Sequence, residues 1–163
     1  MFRILIFFLI ISKASIGYSQ GYDVFGIGIY DVKFDGSSSK NATDIRYERR
    51  FDNNLIDIGP EKDNFFYLKP FAGIELTSDS AFYLISGIYL EDNIGDLVIG
   101  KDNNWNFTPS FGVGYYDDGN GKKLGNKVQF RTTLEFSYQL VNKDRIAISL
   151  GHISNANIGK KNP

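Results

Sequence analysis

The only histidine of the 163-residue chain is His152, and Ser154 follows it two positions later. On a strand, residues i and i+2 point to the same face, which brings an imidazole and a hydroxyl within reach of each other. A general base beside a hydroxyl is what activates serine as a nucleophile. Other chemistries are thinly provided for. The chain has no cysteine, which excludes disulfide frameworks and Cys-based zinc sites, and a single His excludes multi-His metal sites. Asp117-Asp118-Gly119-Asn120-Gly121 has calcium-loop residue types but neither EF-hand spacing nor its terminal Glu, so it reads as a hairpin turn. Gly121-Lys122-Lys123 is not a phosphate-binding P-loop, because no Ser or Thr follows the lysine. Glu75 and Glu135, as a possible carboxylate pair, fall on charged strand faces and are expected to pair with Lys69 or Arg131. A formal net charge of −1 leaves no nucleic-acid footprint. No cofactor and no metal are expected.

The elements that must carry this pair are strands. Fourteen Phe, ten Tyr and 17 Gly favour strands and tight turns over helices. Val128 to Leu140 is the strongest segment: Val128, Phe130, Thr132, Leu134, Phe136, Tyr138 and Leu140 share one face. Gln129, Arg131, Thr133, Glu135, Ser137 and Gln139 share the other. Trp105 to Tyr115 repeats the pattern, and weaker runs lie near Tyr22–Lys33, Ala42–Phe51, Phe65–Leu76, Ala81–Leu90 and Arg145–Ser154. In the second of these runs Asp44, Arg46, Glu48 and Arg50 fall on one face, where they could pair inside a small barrel. No repeat or linker divides residues 20–163, which read as one all-β, antiparallel, up-and-down barrel.

Residues 1–19 carry a separate signal. Arg3 precedes the unbroken apolar run Ile4–Ile11, and a small, polar stretch follows to Gln20. This is the layout of a secretory signal peptide, with cleavage expected before Gln20; the alternative is a buried first strand. The run is far short of the roughly 20 residues of a spanning helix.

Alternation leaves open which face is outward. A soluble barrel turns its apolar side inward and a membrane barrel does the reverse. Long strands, aromatic residues near strand ends, export and the missing cysteine favour the outer membrane; a secreted ligand-binding barrel is the rival. About seven strands are present, and a bacterial barrel closes on an even number, so the last strand is expected to be missing: the chain is cut short, or cannot close as a monomer. With periplasmic termini, His152 and Ser154 would sit at the outer-leaflet end of the seventh strand, on the same parity as Ile146, Ile148 and Leu150. The connections 52–64 and 91–104 are long for the periplasmic side, and 77–80 is short for the outer one.

Gly151-His152-Ile153-Ser154-Asn155-Ala156-Asn157, followed by Asn162-Pro163, resembles the His-x-Ser-Asn-Ala…Asn-Pro signature of the lipid A 3-O-deacylases (PagL-type, in the acyloxyacyl hydrolase group). Phe107-Thr108-Pro109-Ser110-Phe111-Gly112-Val113-Gly114-Tyr115-Tyr116 resembles a strand of the same family, and Gly119-x-Gly121-Lys122-x-Leu124-Gly125 and Phe130-Arg131 continue the likeness over about 105–163. The resemblance implies an eight-stranded outer-membrane barrel that hydrolyses the 3-O-linked acyl chain of lipid A in lipopolysaccharide of the outer leaflet. It implies His152 as general base, Ser154 as nucleophile, Asn155 at the oxyanion and Asn162 in support. Two departures stand out. Asn157 replaces a Gly whose N–H joins the family's oxyanion hole, although Asn tolerates a left-handed backbone. The family's acid is a Glu a few residues beyond Asn-Pro, past Pro163. Loss of a triad acid costs roughly 10⁴ in rate, so the chain as it stands is expected to be a poor enzyme. The alternative is a non-catalytic outer-membrane or lipid-binding β-barrel.

Overall fold

The computed structural model describes residues 4–14, 21–32, 41–57, 67–90, 92–93 and 104–158. Among them there are strands and turns and no helix. Ten strands follow in order: β1 (Ile4–Ala14), β2 (Gly21–Val32), β3 (Ala42–Phe51), β4 (Ile56–Asp57), β5 (Tyr67–Thr77), β6 (Phe82–Tyr89), β7 (Asp92–Asn93), β8 (Trp105–Asp117), β9 (Val128–Gln139) and β10 (Arg145–Ser154). β4 and β7 are two-residue strands that pair with β5 and β8 and so give the two long connections some ladder of their own.

The expected seven long strands are all present, as β2, β3, β5, β6, β8, β9 and β10, each antiparallel to its neighbour in sequence. They curl into an up-and-down barrel wall whose remaining gap lies between β2 and β10. β1 stands in that gap, antiparallel to both, and the ring then closes through β3–β5. The stretch read above as a leader thus takes the place of an eighth strand. Its sequence differs from that of its neighbours, since residues 4–11 are apolar without alternation.

Curvature decides which face is inside. Arg46 and Asp44 are 0% exposed and Glu48, Arg50 and Arg131 are 1% exposed, whereas Ile45, between two of them in sequence, is 62% exposed. The lumen is filled by an ion-pair cluster drawn from three strands, β3, β5 and β9. Arg131 Nη1 donates to Glu75 Oε2 at 2.9 Å and its Nη2 to Glu48. Arg50 forks onto Glu135, with Nη1 to Oε1 at 2.7 Å and Nη2 to Oε2 at 2.8 Å. Arg46 lies 3.7 Å from Glu48 and 3.6 Å from Glu135, and it also donates to Ser149 Oγ at 3.4 Å. Planar guanidinium forks suit such paired carboxylates. Glu75 finds the expected Arg131, Glu135 pairs with Arg50 instead, and Lys69 bonds Asp52 outside the cluster.

Above the cluster, at the end of the barrel where β8 and β10 finish, lies a smaller apolar layer containing Tyr30, Phe71, Tyr83, Ile85, Tyr116, Leu124 and Ile153. Gly112 keeps room for it, since a Cβ there would come within 2.7 Å of Ile85 and 3.0 Å of Phe71. The outer wall is apolar. Ile27, Ile45, Leu84, Val113, Leu134 and Ile148 are exposed, and aromatic pairs cluster toward the ends. Trp105 packs on Tyr138 at 5.1 Å at one end, and Phe82 on Tyr115 at 5.9 Å at the other. From Trp105 to Tyr115 the strand rises roughly 33 Å, or about 25 Å along the axis of a barrel tilted by ~40°.

Candidate functional site

β10 alternates without a break: Ala147, Ser149, Gly151 and Ile153 are buried on the lumen side, while Ile146, Ile148 and Leu150 are exposed. His152 and Ser154 share the outward parity and are half-buried there. They sit at the end of the strand that meets the start of β9. His152 is opposite Thr132 and Ser154 is opposite Phe130, which places the Cβ atoms of each pair about 5 Å apart. Phe130 in turn stacks on Phe111 of β8, with centroids 6.1 Å apart and planes at 14°. A hydroxyl and an imidazole therefore border an aromatic ledge on an apolar wall. The lumen carboxylates lie on the opposite face of the sheet, engaged with arginines. Glu48, Glu75 and Glu135 are thus not placed to orient His152.

Immediately after Ser154 the backbone reverses. The N–H of Ile158 donates to the carbonyl of Asn155 at 2.9 Å, and Ala156 and Asn157 have φ of 50° and 63°. Two consecutive positive φ values are the pattern of a type I′ turn, which Asn accepts and Ala resists. Asn157 thus adopts the left-handed conformation expected of the residue standing in for glycine.

Asn155 holds this turn in place. It is 0% exposed and points to the lumen side, away from the face of Ser154. Its Oδ1 accepts the N–H of Asn157 at 3.0 Å, and its Nδ2 donates to the carbonyl of Leu124 at 2.9 Å. The side-chain amide thereby ties the β8–β9 loop, residues 118–127, to the chain directly beyond Ser154. The contact of Leu124 with the site was missed in the sequence, where Gly119-x-Gly121-Lys122-x-Leu124-Gly125 appears only as part of the family-like stretch. The Asp117–Gly121 segment is a turn, with Gly119 at φ 48°, its N–H donating to Asp117 Oδ1 at 3.2 Å and the N–H of Gly121 to the Asp118 carbonyl at 2.6 Å. Asn162 lies outside the described residues.

The described residues contain no group of three or more His, Cys, Asp or Glu side chains able to hold a metal ion. What the site offers is a hydroxyl, an imidazole and a turn of left-handed backbone at the edge of an apolar surface. No curated protein and no solved structure matches the chain. A protein-family model does match: residues 94–163, which take in β8, β9, β10, His152, Ser154 and Asn155, fit the family described as lipid A 3-O-deacylase (PagL), consistent with assigning the chain to the PagL type.

Proposed function

We propose that the protein is an outer-membrane serine esterase that removes the 3-O-linked acyl chain of lipid A. One observation carries the reading: His152 and Ser154 lie together on the apolar outer wall, inside the segment that matches the deacylase family. Polar groups facing hydrocarbon are costly and are kept there for function. The apolar wall, the aromatic pairs at both ends and the charged lumen support placement in a bilayer. The substrate is then a lipid of that bilayer, whose acyl chains reach Ser154 sideways without leaving it.

In the proposed cycle the Ser154 hydroxyl attacks the ester carbonyl carbon while His152 takes its proton. The tetrahedral intermediate collapses, the bond between the acyl carbon and the sugar oxygen breaks, and His152 gives its proton to that oxygen as it leaves as the sugar hydroxyl. Water, deprotonated by His152, then releases the fatty acid and restores Ser154. We assign the oxyanion position to Asn155, whose side-chain amide must leave Leu124 and Asn157 to take it, and a supporting role to Asn162. Residues 1–19 act as the leader that directs export.

The test is mass spectrometry of lipid A from cells producing the protein. Loss of one hydroxyacyl chain, abolished by Ser154→Ala, is the expected result. An unaltered lipid A in the presence of an assembled, heat-modifiable barrel would overturn the reading. A non-catalytic lipid-binding barrel is the second reading, favoured by the commitment of the Asn155 amide to Leu124 and Asn157 rather than to the face of Ser154.

A further inference from the structure

The β8–β9 loop carries three lysines at the barrel end where β10 delivers Ser154, and they are used differently. Lys122 is engaged with Asp31 at 2.6 Å. Lys127 pairs with Asp117 at 2.7 Å and lies 3.6 Å from Asp118. Lys123 is exposed and makes no ion pair among the described residues.

The loop is anchored on several sides. Tyr116 Oη donates to the Lys122 carbonyl at 2.8 Å, the Asn120 N–H to the Asp79 carbonyl at 2.9 Å, and Asn155 Nδ2 to the Leu124 carbonyl at 2.9 Å. Beside these bonds lies a solvent-open cavity of about 270 Å³, lined among others by Tyr116, Asp118, Lys123, Leu124, Asn126 and Lys127. Its floor is the buried pair Tyr116 and Leu124, and its rim bears the ammonium groups of Lys123 and Lys127 and the carboxylate of Asp118, with Asp117 held against Lys127 beside it. Through the Leu124–Asn155 bond the cavity wall is one residue away from Ser154 in the chain.

We propose that this cavity is an anion subsite for a phosphate monoester on the headgroup of the lipid whose acyl ester reaches Ser154. The proposal rests on the lipid-hydrolysing reading above. An amphiphile with its chain on the apolar wall must lift its polar head past the aromatic end of the barrel, and the loop is what it meets there. Ammonium groups are compact point charges suited to phosphate oxygens. Lys123 needs no rearrangement to serve. Lys127 exchanges an exposed carboxylate partner, an interaction worth little in water, for a more highly charged one. The volume fits a phosphate and part of a sugar, not an acylated disaccharide.

Binding tests the subsite without turnover. Ser154→Ala protein, refolded as a whole chain in detergent, is titrated with lipid A and with the same lipid after phosphatase treatment. The expected result is about tenfold tighter binding of the phosphorylated lipid, an advantage lost in a variant also carrying Lys123→Gln and Lys127→Gln. That variant keeps its affinity for the dephosphorylated lipid. Equal binding of the two lipids by the parent would overturn the subsite alone, as would a lysine variant that loses both equally. Binding of neither lipid to the assembled barrel would overturn the subsite together with the reading of function. Inorganic phosphate separates the sources: competition only far above the lipid concentration supports a headgroup ligand. Saturation by free phosphate with no preference between the lipids would make the free ion the ligand and overturn the proposal.

Discussion

The lumen and the outer wall of this barrel are built from the same strands and treat polar groups by opposite rules. Inside, Arg46, Arg50 and Arg131 are surrounded by Glu48, Glu75 and Glu135, so these six side chains meet opposite charge, while Asp44, equally buried, has no hydrogen bond to either carboxylate oxygen among the described residues. In such a cluster the paired members constrain one another, although Arg46 Nε and Nη1 and Arg131 Nε are buried without a hydrogen bond among the described residues. Outside, the face is a field of Ile, Leu, Val and aromatic rings, and on β10 it is broken only at its end, by His152 and Ser154. A polar pair that no packing rule requires is better evidence of chemistry than a larger polar cluster whose partners explain it. Glu75 and Glu135 have the residue types of a catalytic pair, and their arginines dispose of that reading.

The largest effect expected on this contrast comes from Ser154→Ala. If the outward pair does chemistry, lipid A deacylation falls to background while the barrel keeps its heat-modifiable mobility; mass spectrometry and electrophoresis read the two separately. Activity that survives the change would move the chemistry elsewhere. Next is Arg131→Ala, which takes from Glu75 its ion-pair partner in the lumen and leaves Glu48 only Arg46 and Arg50, and should cost about 3–5 kcal/mol in urea unfolding of the folded protein. Loss of less than about 1 kcal/mol would mean that the lumen cluster is not the constraint its geometry implies.

Leu134→Arg then asks which face meets lipid. Leu134 is exposed at the middle of β9, opposite Leu150 and Pro109. In a bilayer the charge should cost about 2–4 kcal/mol, measured by unfolding from liposomes. In a water-soluble barrel the same change would be almost neutral, and the contrast between the faces would lose its membrane meaning. The smallest expected effect is that of Asn155→Ala, which leaves the buried Leu124 carbonyl without its donor and should cost about 1–3 kcal/mol. Faster proteolysis within residues 118–127 would show that the loop has come away from the turn. Lost activity with an unchanged loop would instead identify Asn155 as an oxyanion donor.

Much of this was legible from local pattern. Alternation in Val128–Leu140 and Trp105–Tyr115 is a property of neighbouring residues, because side chains on any strand alternate, and it located β9 and β8 closely. The seven long strands and the shared face of His152 and Ser154 followed in the same way. The stretch 4–14 was not settled by pattern. An apolar run between a basic start and a polar end satisfies the requirements of a leader and also has the length of a strand. Sequencing the amino terminus of the exported protein separates the two: a start near Gln20 is expected, and a start at Met1 would make β1 a permanent stave.

By itself, then, the sequence located the seven long strands, with an apolar and a polar side to the clearest of them, and one short block that carries an imidazole and a hydroxyl at strand spacing. These are short-range properties, written within a dozen residues. Only the tertiary structure decided which side faces out, because that depends on the direction in which the sheet curls. It also decided that Arg50 meets Glu135, 85 positions away, and that Asn155 meets Leu124, 31 positions away. Partner choice across such separations depends on which strands the closed ring brings opposite each other, and no local period encodes that.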